Sequence, residues 1–101
     1  MENYKKQIEF VNDLGKVISG QNGITNVKSI EYKVFRSKDT SCITEYVVVT
    51  FKGGAISARN CTGNSQAFIL SEISHLVKGG YYSEVEEYKN HLNLLKYDEI
   101  K

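Results

Sequence analysis

The stretch from Tyr46 to Asn60 reads Y-V-V-V-T-F-K-G-G-A-I-S-A-R-N and predicts two strands joined by a tight turn. Its three consecutive valines are typical of a central strand, because β-branched side chains pack well on a buried, pleated surface. Gly53 and Gly54 accept the positive φ angles that a two-residue type I′ turn requires. With these glycines as the turn, Val49 is expected to pair with Ala58. The stretch therefore predicts an antiparallel hairpin with a definite register.

Hydrophobic spacing on either side of this hairpin predicts further elements. Apolar residues recur every three or four positions from Tyr4 to Ile18, which predicts a first helix. They alternate with polar residues from Val27 to Arg36, which predicts a half-buried first strand. The apolar face between Ala67 and Val77 predicts a second helix, with Asn64 or Ser65 as its N-cap.

A third helix is predicted to begin at the capping box Ser83-Glu84-Val85-Glu86, where serine and glutamate side chains satisfy exposed N–H groups. Its inward face is expected to carry Val85, Tyr88, Leu92 and Leu95. The element order is then αβββαα, so we expect an α+β fold in which residues 1–101 form a single domain. We expect a three-stranded antiparallel meander, in the order 1-2-3, with helices packed on one face.

Helices on one face leave the other face of the meander open. Alternation places on this open face Glu31, Tyr46, Val48, Thr50, Ser57 and Arg59, with Phe35 nearer an edge. The covered face is expected to carry Ile30, Val47, Val49 and Ala58. A mixture of aromatic, hydroxyl and guanidinium groups is typical of a binding surface. The alternatives are burial in an oligomer, with a homodimer as the expected form, or a third helix that crosses over onto this face.

Composition excludes several classes of protein. A chain of 101 residues with 41% hydrophobic and 25% charged residues has room for one compact core. A net charge of +1 is far from the strongly positive charge of a nucleic-acid-binding domain and from the strongly negative charge of a DNA mimic. Direct nucleic-acid binding is therefore not expected. With no secretory signal and no apolar run of spanning length, we predict a cytoplasmic protein that does not enter the membrane.

The segment from Ala58 to Ser65, A-R-N-C-T-G-N-S, lies where the third strand ends and the second helix begins. A helix N-terminus exposes unpaired N–H groups and a partial positive charge, and guanidinium is suited to bidentate phosphate contact. The predicted ligand-binding residues are Arg59, Asn60, Thr62, Gly63, Asn64 and Ser65 of this segment, together with Tyr46. The alternative is that these polar residues only cap the helix and turn the chain.

Residues suited to catalysis or metal binding are sparse. His75 and His91 lie on different predicted helices without metal-ligand spacing. Cys42 and Cys61 form no C-x-x-C motif, and in a cytoplasmic chain two cysteines are expected to be free thiols. The Arg59 segment also lacks the lysine and glycine spacing of a P-loop. We therefore predict no catalytic residue, no metal and no cofactor.

The whole layout resembles that of small type II-A anti-CRISPR proteins carried by phages and mobile elements. The resemblance covers the amphipathic N-terminal helix, the hairpin V-V-V-T-F-K-G-G-A-I-S and the C-terminal E-V-E-E-Y-K-N-H-L-N-L-L-K. It implies an inhibitor that docks on a Cas nuclease or another defence protein. The near-neutral charge departs from the strongly acidic members with this layout, which argues against DNA mimicry.

The chain is also similar in size and layout to phage sponge proteins that sequester the cyclic nucleotide signals of Thoeris or CBASS defence. This resemblance implies a site in which arginine, asparagine and aromatic side chains hold a nucleotide. Our leading hypothesis is a non-enzymatic counter-defence protein that sequesters a cyclic-nucleotide or ADP-ribose-type immune signal. The alternative is a protein inhibitor that uses the open sheet face or the third helix.

Overall fold

The computed structural model describes residues 4–19, 26–78 and 84–101. In chain order the elements are α1 Tyr4–Ser19, β1 Val27–Ser37, β2 Ile43–Phe51, β3 Ile56–Asn60, α2 Gln66–Val77, α3 Glu84–His91 and β4 Tyr97–Ile100. The strands form one antiparallel sheet in the order β3-β2-β1-β4. The predicted α+β class is confirmed, and the sheet has a fourth strand that the sequence did not predict. The predicted capping box begins at Ser83, outside the described residues.

The turn between β2 and β3 has three residues, one more than predicted. Phe51 donates its N–H to the carbonyl of Ala55 at 2.8 Å and accepts the N–H of Gly54 at 2.9 Å. Gly54 has a φ of +95°, whereas Gly53 is not among the residues with positive φ. A type I′ turn needs positive φ at both positions, so the predicted turn type is wrong. A turn followed by one left-handed glycine is the usual three-residue hairpin loop.

The extra loop residue shifts the register of β3 by one. Val48 pairs with Ala58 and Val47 pairs with Arg59, so the predicted pairing of Val49 with Ala58 is wrong. A shift by one residue moves every side chain of a strand to the opposite face of the sheet. Arg59 and Ala58 have therefore exchanged the faces that the sequence predicted for them.

The inner face of the sheet, covered by α1 and α2, carries the main core. Its buried strand residues include Ile30, Tyr32, Val34, Val47 and Val49, and the helices contribute Val11, Ile69, Ile73 and Leu76. The predicted burial of Ile30, Val47 and Val49 is confirmed. The helix α1 lies directly on β1, since a Cβ atom at Gly15 would be 2.9 Å from the Ile30 carbonyl oxygen.

The outer face of the sheet is covered as well, by α3. A second cluster of buried residues joins Phe35, Tyr46, Val48 and Ala58 of the sheet to Tyr88 of α3. The expectation of an open face is therefore wrong, and the alternative of a third helix crossing over is what the structure has. The reason is that this face is too apolar to remain in water without a covering element.

Candidate functional site

The loop that precedes α2 has the local geometry that its sequence predicts. Ser65 is the N-cap, because its Oγ accepts the N–H of Phe68 at 3.2 Å. Gly63 has a φ of +73°, and the N–H of Asn64 donates to the carbonyl of Cys61 at 3.0 Å. The prediction of Asn64 or Ser65 as the N-cap is confirmed, with Ser65 in that position.

Asn60 and Thr62 hold this loop against its neighbours. The hydroxyl of Thr62 donates to Asn60 Oδ1 at 2.7 Å and accepts the backbone N–H of Glu45 at 2.8 Å. The Asn60 amide also donates to Glu87 Oε1 of α3 at 3.2 Å. The side chains of both residues are therefore engaged in contacts that order the chain, which is the alternative role expected for them.

Arg59 lies between two helices at the edge of the sheet. Its Nε is 2.8 Å from Glu72 Oε1 of α2, and its Nη1 donates to Glu84 Oε1 of α3. Burial alone would lower the pKa of Arg59, but Glu84 and Glu72 outweigh this effect and raise it. The guanidinium thus joins β3, α2 and α3, and a phosphate would have to compete with two carboxylates for it.

Tyr46 is next to this loop, but its side chain belongs to the buried cluster on the outer face of the sheet. It pairs with Asn60 across the sheet, while its ring is fully buried against Phe35 and Tyr88. Its hydroxyl is 3.1 Å from Nδ1 of His91, and burial raises the pKa of the phenol. The structure therefore brings the six loop residues together and places the Tyr46 ring beneath α3.

Gln7 is a site neighbour that sequence reasoning missed. This α1 side chain is buried and donates its amide to the carbonyl of Asn64 at 3.3 Å. Its Oε1 is buried and accepts no hydrogen bond from any residue that the structure describes. A signal was present, because residue 7 lies three positions after Tyr4 and four before Val11 on the apolar stripe of α1.

The two cysteines differ in accessibility. Both are free thiols, as predicted, with Cys42 exposed and Cys61 buried. Burial raises the pKa of the Cys61 thiol to about 11, which keeps it protonated near neutral pH. Within residues 4–19, 26–78 and 84–101, no group of three or more His, Cys, Asp or Glu side chains is arranged to hold a metal ion. In the same ranges, no helix combines the length and apolar character needed to cross a bilayer.

The turn between α3 and β4, residues 92–96, exposes three leucines. Leu92, Leu94 and Leu95 are 44%, 58% and 88% exposed. We call these three residues the leucine turn. The sequence predicted a longer third helix with Leu92 and Leu95 turned inward, and this is wrong because α3 ends at His91.

Hydrogen bonds fix the backbone of the leucine turn. Lys38 donates from Nζ to the carbonyl of Leu94 at 2.8 Å, and its N–H donates to the carbonyl of Lys96 at 2.9 Å. Asn93 Oδ1 accepts the N–H of Leu95 at 3.0 Å. The leucine side chains are consequently presented to solvent by an ordered turn.

In comparisons with known proteins, no family model, curated protein or solved structure matches the chain. The resemblance to anti-CRISPR and sponge proteins therefore remains a prediction.

Arg59→Ala is expected to destabilise the fold by about 2 kcal/mol, because it leaves the nearly buried Glu72 carboxylate without this cation. Urea unfolding of the purified variant measures the change. Lys89→Ala is the control, since it removes an exposed ion pair with Glu86 and is expected to change stability by less than about 0.5 kcal/mol. Equal stability of Arg59→Ala and the wild type would contradict a structural role for this guanidinium.

Proposed function

We propose that this protein is a non-enzymatic binding protein that docks on another protein, as a counter-defence inhibitor carried by a phage or mobile element. The observation that carries the proposal is the leucine turn. Three large apolar side chains within four positions are exposed in an ordered segment. An exposed apolar cluster of this kind is typical of a protein interaction site.

The energetics of the leucine turn favour a protein partner. Burying one leucine side chain contributes about 1.5 to 3 kcal/mol, so two or three of them supply much of the affinity of an ordinary complex. Because the backbone of Leu94 and Leu95 is held by Lys38 and Asn93, little conformational entropy is lost on docking.

Charged groups adjoin the leucine turn. Lys38, which contacts the Leu94 carbonyl, is also 3.7 Å from Asp98. Lys96 is exposed at the end of the turn. An apolar centre with a charged, hydrated rim is the usual composition of a transient protein interface.

Sequestration of a nucleotide signal receives less support. Arg59 is already joined to two carboxylates, and the Tyr46 ring is covered by α3. A nucleotide phosphate bound there would lie among Glu72, Glu84 and Glu87, which repel it. Calorimetric titration with cyclic nucleotides and ADP-ribose derivatives tests this alternative, and clear binding heat would favour it over the proposal.

The proposal is tested by phage plating on bacteria that carry type II-A CRISPR, Thoeris or CBASS defence. The wild type is expected to restore plating against one of these systems, and Leu94→Asp/Leu95→Asp is expected to lose the effect. Loss of about 3 kcal/mol of apolar burial corresponds to roughly a hundredfold weaker binding. The variant is expected to stay folded, because both side chains are already in water.

Leu70→Asp is the matched control, because this leucine is also exposed but belongs to α2, away from the leucine turn. It is expected to restore plating as the wild type does. Full activity of the double variant would exclude the leucine turn as the docking site. A wild type that restores plating against none of the three defences would overturn the proposed function.

A further inference from the structure

The fourth strand forms an outer edge of the sheet, directly after the leucine turn. In the order β3-β2-β1-β4, β4 has β1 on one side and no strand of the described residues on the other. Among the described elements, only β1 packs extensively against β4. An edge strand presents backbone N–H and C=O groups to which another strand can bind. Because β4 begins at Tyr97, where the leucine turn ends, the turn and this edge are adjacent on the surface.

The register of β4 shows which of its backbone groups face outward. The N–H of Lys38 donates to the carbonyl of Lys96 at 2.9 Å, so Lys96 faces β1. Alternation along an antiparallel ladder then directs every second residue to β1 and turns Tyr97 and Glu99 away from it. The N–H of Tyr97 already donates to the carbonyl of Asn93 at 3.0 Å. In the described part of the chain, nothing hydrogen-bonds to the Tyr97 carbonyl or to either backbone group of Glu99.

The charges of β4 are neutralised within the chain. Asp98 is 3.7 Å from Lys38, and Glu99 is 3.5 Å from Lys33. Sheet edges are commonly protected from pairing by unpaired charges, proline or a bulge. No proline or bulge interrupts Tyr97–Ile100, and both of its charges are already paired. An uncharged strand is therefore the segment that this edge fits.

A cavity of about 230 Å³ lies beyond the other end of β4. It is lined by Lys101 and, from α1, by Lys5, Ile8 and Glu9. A larger cavity of about 360 Å³ adjoins it, since Ile8 and Lys101 line both. The edge of β4 thus runs from exposed leucines at one end to a cavity with an isoleucine at the other. A segment added along β4 would bury apolar side chains at both ends.

We infer that the partner of the leucine turn contributes an extended, uncharged segment that adds to the outer edge of β4 as a fifth strand. The segment hydrogen-bonds to Tyr97 and Glu99, packs one end on Leu94 and Leu95, and inserts a side chain beside Ile8 at the other end. In strand addition the main chain supplies affinity and the side chains supply specificity. The inference deepens the proposed function and rests on it for the role of the leucine turn.

Charge disfavours a second copy of this chain as the added strand. A two-fold axis pairs two copies of β4 antiparallel, and residues that face outward must then pair with residues that face outward. The two registers with the greatest overlap of β4 place either Asp98 or Glu99 opposite its own copy. Like charges directly opposite each other destabilise a sheet. A neutral segment from a different protein avoids this repulsion.

The test uses the full chain and fluorescein-labelled peptides. The probe is T-V-T-V-T-L-T-L, and its matched control is the same peptide with all backbone amides N-methylated. Fluorescence anisotropy is expected to detect binding of the probe only, because N-methylation removes the strand hydrogen bonds but changes neither charge nor side chains. Amide chemical shifts are expected to change at Leu95, Tyr97 and Glu99 and to stay constant at Gly53 and Gly54 of the distant hairpin turn.

Two variants at one position separate strand addition from general apolar adhesion. Because the N–H of Glu99 faces away from β1, Glu99→Pro removes no hydrogen bond of the β1–β4 ladder, and an edge strand tolerates proline in this orientation. Glu99→Pro is expected to weaken probe binding about tenfold through the lost hydrogen bond. Glu99→Gln is the control, because it loses the same ion pair with Lys33 but keeps the N–H, and it is expected to retain wild-type affinity.

Three results would overturn the inference. These are no binding of the probe, equal binding of the N-methylated peptide, or wild-type affinity of a Glu99→Pro protein that circular dichroism shows to be folded. Should Glu99→Pro fail to fold, the N-methylated peptide still decides the question on the wild type. Restored plating without probe binding keeps the proposed function and rejects strand addition. Probe binding without restored plating rejects the proposed function and keeps the edge of β4 as a binding site.

Discussion

Val49→Asp is expected to leave most of the protein unfolded at 25 °C. Val49 is fully buried on the inner face of the sheet, in the interior strand β2. The variant loses about 2 kcal/mol of apolar burial and places a carboxylate among the apolar side chains of the inner face, which costs several kcal/mol more. A small domain has about 5 to 15 kcal/mol of stability in total, so little remains.

Circular dichroism and urea unfolding measure this effect. Val17→Asp is the control, because the same substitution is made at a valine of α1 that is 61% exposed. It is expected to change the free energy of unfolding by less than about 0.5 kcal/mol. A folded Val49→Asp protein with wild-type stability would contradict the placement of Val49 in the inner core.

Phe35→Ala is expected to lower the free energy of unfolding by about 4 kcal/mol, as truncation of a buried phenylalanine usually does. Phe35 is fully buried on the outer face, where its ring centroid lies 6.1 Å from that of Tyr88 and 5.6 Å from that of His91. The substitution leaves a cavity directly beneath α3. Urea unfolding gives the magnitude, and hydrogen exchange of the α3 amides reports where the structure loosens.

Phe10→Ala is the comparison, because Phe10 is only partly buried and packs at the margin of the inner core. Phe10→Ala is expected to lower the free energy of unfolding by less than Phe35→Ala does. It is also expected to leave hydrogen exchange in α3 unchanged. If Phe35→Ala were no more destabilising than Phe10→Ala, the outer face would have to be open rather than covered by α3.

Local features of the site were predictable from the sequence. Ser65 caps α2 by accepting the N–H of a residue only three positions further along the chain, so the cap depends on local sequence alone. The alternation of apolar and polar residues in β1 and the valine run in β2 are likewise local signals. They show which residues are suited to burial without specifying the element that packs on them. For the same reason the α+β class follows from periodicity alone.

The register of β3 was not predictable, because Gly53 and Gly54 are compatible with a two-residue and with a three-residue turn. Only the folded chain chooses between them, and the choice decides which face Arg59 occupies. A salt bridge from Arg59 to Glu72, 13 positions along the chain, has no periodic signature in the sequence. The anion-site prediction therefore named residues that the structure brings together in one loop, without the two helix carboxylates that pair with Arg59.

The sequence by itself determined the elements whose hydrogen bonds and apolar stripes are local, namely α1, α2, the three long strands and the Ser65 cap. The tertiary structure alone decided that α3 covers the outer face and that Tyr97–Ile100 becomes a fourth strand. The physical reason is that four residues carry too little periodicity to specify a strand. Such a segment pairs only when a packed helix and an unpaired edge are already in place beside it.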